Sequence, residues 1–74
     1  MARIYHHIHL TVDERERLDA VLDVIGDVRE LMKDYNTKDI VNLRTYEVLE
    51  DRDLGRIASF IEELYEGVWV MEEN

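Results

Sequence analysis

Cysteine is absent from all 74 residues, which removes disulfide staples, thiolate metal ligands and any thiol nucleophile. The glycines, at 26, 55 and 67, are too scattered to form a phosphate-cradling loop. Ser59 lies in a helical stretch beside Phe60, without the glycine-flanked elbow of a serine nucleophile. No apolar run approaches the length of a membrane span. Near the N-terminus only Ile4, Ile8 and Leu10 stand among histidines, unlike a signal segment, so a cytoplasmic protein with no membrane partner is expected. Cationic charge is also scarce. Nine Lys and Arg against 18 Asp and Glu give a net charge of −9. Such a chain repels nucleic acid and anionic lipid and attracts basic partner surfaces. These absences argue against an enzyme, and no catalytic residue, metal or cofactor is expected.

The residues that are present suit a small folded domain, 1–74. A hydrophobic content of 46 % excludes wholesale disorder. A chain of this mass exposes about 12,900 Å² unfolded and about 4,800 Å² when folded to ordinary compactness. In a domain this small, burial and the entropy of ordering the chain nearly cancel. Dimerisation, or docking on a partner, is therefore expected.

The longest organised stretch is 12–35. Leu18, Val21, Ile25, Val28, Met32 and Tyr35 recur at alternating intervals of three and four, the stripe of an amphipathic helix. Leu22, Val24 and Leu31 widen that stripe, enough to bury two sides, one against the chain itself and one against a second copy. Thr11 and Glu14 form the pattern of a capping box at its start. Asp13, Glu14 and Glu16 suit the positive end of the dipole and Lys33 the negative end. Gly26, inside the helix, suggests close packing or a slight bend.

On either side the pattern changes. Residues 3–10 alternate, with Ile4, His6, Ile8 and Leu10 on one face, as in a half-buried strand. The polar run 34–39 reads as a turn, with Asn36 or Thr37 capping the next element. Residues 40–49 fit either a strand or a short helix, and the helix is favoured because Glu47 to Asp51 contains no turn signal. Asp51 or Asp53 caps a second helix over 54–66, lined by Leu54, Ile57, Ala58, Ile61, Leu64 and Tyr65, and Gly67 ends it. Residues 68–71 form a short strand that pairs with the first. The fold class is α+β: strand, long helix, short ambiguous element, second helix, strand.

His7 and His9 fall on one side of the first strand and could share a metal, but spacing supplies no third ligand, and His6 faces the apolar side. The stretch RIYHHIHLTVDERERLDAVL resembles the opening of ribbon-helix-helix transcription regulators. That resemblance implies a dimer whose paired N-terminal strands place Arg3, Tyr5 and His7 or His9 in the major groove of DNA. It covers about twenty residues. The family's first helix is short, whereas here the helical pattern runs on to Tyr35, and no basic patch backs the strand.

The function expected from the residues is protein–protein interaction, as a homodimeric regulator, inhibitor or assembly subunit with a basic-faced partner. In size and charge the chain is similar to small acidic phage-encoded inhibitors and DNA mimics. The expected contact residues are Asp51, Asp53, Glu62, Glu63 and Glu66, with Tyr65 and Trp69 as aromatic anchors. A dimeric DNA-binding regulator using Arg3, Tyr5, His7 and His9 is the alternative.

Overall fold

Two antiparallel helices joined by a β-hairpin, with a second ribbon tying their far ends, make up the computed structural model, which describes residues 3–73. In chain order the elements are β1 (Ile4–His7), α1 (Val12–Asp34), β2 (Asp39–Val41), β3 (Val48–Glu50), α2 (Asp51–Glu66) and β4 (Val70–Glu73). β1 pairs antiparallel with β4, Ile4 opposite Glu73 and His7 opposite Val70. β2 pairs antiparallel with β3, Asp39 opposite Glu50 and Val41 opposite Val48.

The long helix forms as its sequence dictates. Thr11 sits in extended conformation and accepts from the Glu14 amide at 3.1 Å, while the Glu14 carboxylate accepts from the Thr11 amide at 3.0 Å. The Thr11 amide, and then its hydroxyl, hold the Glu14 carboxyl below the usual carboxylate range. At the other end Asn36 takes a positive φ of 50°, and the Thr37 amide donates to the Met32 carbonyl at 2.9 Å, which closes the last turn. Asn36 thus ends α1 rather than capping a later element. Gly26 makes no close approach: an added Cβ would meet nothing within 4 Å, so the close packing expected there is absent.

Residues 40–49 are a β-hairpin, not the helix favoured from sequence. The turn is made by Asn42, whose side-chain oxygen accepts from the Arg44 amide at 2.8 Å and the Thr45 amide at 3.2 Å. The Tyr46 amide donates to the Asn42 carbonyl at 2.8 Å, and Tyr46 itself adopts a φ of 61°. Asparagine chemistry therefore reverses the chain without glycine or proline. The second helix starts earlier than expected, with Glu50 as the cap residue. The Asp53 carboxylate accepts from the Glu50 amide at 2.9 Å, so Asp53 serves the cap from three residues inside. Gly67 ends α2 in the left-handed conformation, φ 74°. The strands are shorter or shifted relative to the sequence pattern: β1 stops at His7, and β4 begins at Val70.

The core is small. Ile25 and Met32 of α1 meet Leu54 and Ile61 of α2, with Leu18, Leu22, Val28, Ala58 and Tyr65 packed around them. Among the described residues these four are the only buried hydrophobics, whereas eighteen large hydrophobic side chains are exposed. The surface is 6,544 Å², about 1,700 Å² above the roughly 4,800 Å² of a compact chain this size. The radius of gyration is 16.1 Å, against about 11 Å for a compact 74-residue domain. The monomer leaves apolar surface that its own chain does not cover.

Candidate protein-binding surfaces

Side-chain bridges between the helices define one flank of the pair. Arg29 of α1 donates two parallel bonds to Asp51 of α2, Nε to Oδ1 at 2.8 Å and Nη2 to Oδ2 at 2.9 Å. Those bonds hold the Asp51 carboxyl below its ordinary range and push the Arg29 guanidinium higher still. The guanidinium lies over Gly55, where an added Cβ would stand 3.4 Å from it. Further along the same flank, Tyr65 donates to the Asp19 carboxylate at 2.9 Å and to the Arg15 carbonyl at 3.3 Å. The Arg15 guanidinium sits 4.9 Å from the Tyr65 ring centre. Partial burial, then the bond to Asp19, raise the Tyr65 phenol above its ordinary value.

Helical spacing places exposed acids on this bridged flank and beyond it: Asp19, Asp23 and Glu30 on α1, Glu62 and Glu66 on α2. Among the described residues Glu62 and Glu66 enter no ion pair, and their carboxylates face solvent. The other three expected contact acids are engaged within the chain. Asp51 is held by Arg29, Asp53 accepts from the Glu50 amide, and Glu63 accepts from Trp69 Nε1 at 3.0 Å. Trp69 rests edge-on against Phe60, ring centres 5.2 Å apart, on the outer side of α2 rather than closing the core. Tyr65 is an inter-helix strut more than a free anchor.

On the opposite flank the character reverses. Val21, Val24, Val28 and Leu31 of α1 follow one another at helical spacing, and Ile57, Phe60 and Leu64 of α2 lie on the same side. Val24 is 60 % exposed and Leu31 54 %, unlike Ile25 and Met32 on the core side. Sequence periodicity merged these two stripes into one, and the structure divides them. Leu22, counted as a widening residue, packs on the core, while Val21 and Tyr35 from the central stripe are exposed.

The N-terminal strand is tied to the chain itself. Arg3 pairs with Glu72 at 2.9 Å, and His6 Nε2 stands 2.7 Å from Glu73 Oε2. Tyr5 and His7 are exposed on β1, and the rings of His7 and His9 lie 6.2 Å apart. Among the described residues no three His, Asp or Glu side chains gather as metal ligands. No described helix is long and apolar enough to cross a membrane.

Sequence reasoning missed one further grouping. Arg29, Lys33, Lys38 and Arg52 line a single groove between the end of α1 and the start of α2, together with Asp39, Glu50 and Asp51. Arg29 and Arg52 are already paired there, with Asp51 and Glu50. No signal marked it in advance, because residues 29, 38 and 52 meet only through the hairpin. No family model, curated protein or solved structure matches this chain.

Proposed function

We propose that this chain is a small acidic protein–protein interaction module, a regulator, inhibitor or assembly subunit whose partner presents a basic surface. The observation that carries this reading is the acidic flank. Asp23, Glu62 and Glu66 are exposed on neighbouring turns of two helices locked side by side by Arg29–Asp51 and Tyr65–Asp19. Helices braced in this way hold carboxylates at fixed spacing, so a cationic partner meets a pre-ordered array and loses less entropy on docking. The net charge of −9 adds long-range attraction toward such a partner.

Capture of the tagged full chain from its native lysate, with and without nuclease, tests the reading, with E62Q/E66Q/D23N captured in parallel. A stoichiometric protein that survives nuclease and is lost with the triple variant and in high salt is the expected result. A partner indifferent to both changes would remove the acidic flank from consideration. Recovery of nucleic acid, with loss of the partner on nuclease treatment, would instead turn attention to Arg3, Tyr5, His7 and His9.

A further inference from the structure

We infer that a second copy of this chain covers the apolar flank, with α1 crossing its counterpart antiparallel about a two-fold axis level with residue 26. The amount of uncovered surface points to a constant partner. The excess of about 1,700 Å² is spread over the whole chain, but of the exposed large hydrophobics on the two helices all except Val12 lie on this flank: Val21, Val24, Leu31, Ile57 and Phe60, with Tyr35 at the end of α1. A chain short of that much burial needs its partner whenever it folds. A second copy is the one partner always made beside it.

Chemistry and spacing favour self-association on this flank. Along α1 between Arg17 and Tyr35 the flank carries Val21, Val24, Val28 and Leu31 with no charge among them, although 36 % of the chain is charged. Two copies, each at −9, meet with least repulsion here and keep Asp23, Glu62 and Glu66 on the far side. The intervals from Arg17 through Val21, Val24, Val28 and Leu31 to Tyr35 are four, three, four, three and four. This series reads the same in both directions, as an antiparallel two-fold contact requires. Val24 then lies opposite Val28 of the second copy, Val21 opposite Leu31, and Arg17 reaches the Tyr35 ring. Ile57 of α2 extends the same face, with Leu64 and the Trp69-packed Phe60 at its edges, so two helix pairs close into a four-helix core.

Self-association through the apolar flank does not depend on the acidic flank, and the two fail separately. Sedimentation or light scattering of the full chain over a concentration series should give about twice the 8.9 kDa chain mass, with an unfolding midpoint that falls on dilution. Placing V24D and V28D together should weaken self-association about 100-fold or more, since charges would be buried unpaired. E62Q/E66Q should leave the mass unchanged. Because the chain has no cysteine, a mixture of V24C and V28C chains reports register directly: oxidation should link the two, while S59C, on the outer side of α2, should stay unlinked. If the aspartate variant does not fold, the cysteine mixture decides alone. A folded wild-type monomer at about 100 µM overturns the inference. So does a dimer in which V24C and V28C never join.

Discussion

The two flanks of the helix pair are built from the same two helices and differ in almost every other respect. One is bridged by Arg29–Asp51 and Tyr65–Asp19 and shows carboxylates to solvent. The other shows Val24, Leu31 and Phe60. The bridged flank is finished within the chain, while the apolar flank is left uncovered. A helix pair can therefore display charge on one side and remain energetically incomplete on the other. The composition of a helix alone does not reveal this, because both sets of residues lie on α1 and α2 together.

Substituting the core against the apolar flank tests that contrast most strongly. Ile61, 4 % exposed, should cost about 2–5 kcal/mol as I61A in chemical denaturation, as expected for a truncated core side chain. Val24, 60 % exposed, would cost within about 0.5 kcal/mol as V24A if solvent really faces it. Covered by a second copy it should cost about 1–2 kcal/mol. A cost near zero for V24A would leave the flank bare.

Thr11 tests the helix start independently of either flank. T11A should cost about 1 kcal/mol in denaturant unfolding, because the Glu14 amide loses its acceptor. An unchanged midpoint would mean that tertiary packing, not the capping box, sets where α1 begins.

Gly26 lies off the apolar flank and has nothing within 4 Å of its missing Cβ. G26A should therefore stabilise the protein by about 0.5–1 kcal/mol without altering its mass in solution. Destabilisation would show that something packs on that side after all.

The smallest effect concerns acid. Asp51 and Glu14 are held below the usual carboxylate range, so their contribution is present above the unfolded value of about 4 and is lost as pH falls through the lower folded values. D51N should be less stable than the parent at neutral pH and should lose less stability on acidification. Parallel stability–pH curves for the two proteins would show that Arg29 does not discriminate between the charged and neutral forms.

The long helix was legible because its signals agree: a capping box at Thr11, acids in the first turn and an unbroken three-four spacing. The second helix and the β1–β4 ribbon followed from period and from the need of a lone strand for a mate. The hairpin over 39–50 was not legible, because Ile40, Leu43, Tyr46 and Leu49 also satisfy helical spacing, and its turn rests on Asn42 and a left-handed Tyr46. Of the five candidate contact acids, Glu62 and Glu66 are exposed, whereas Asp51, Asp53 and Glu63 find partners that lie 22, 3 and 6 residues away. Only the fold brings Arg29 to Asp51. Which of two apolar stripes becomes core is also hidden, because both are hydrophobic and only packing separates them.

The two ribbons differ in the demands they place on the folding chain. Val41 and Val48 are seven residues apart, whereas His7 and Val70 are separated by 63. Closing the longer loop from an unstructured chain costs about 2 kcal/mol more, by the logarithmic dependence on loop length. That entropy is largely met once α1 and α2 have docked and brought Leu10 and Gly67 to the same end. The ribbon of β1 and β4 is then a late clasp rather than a nucleus. Its amides should exchange with solvent through local opening, well before those of the helices it joins.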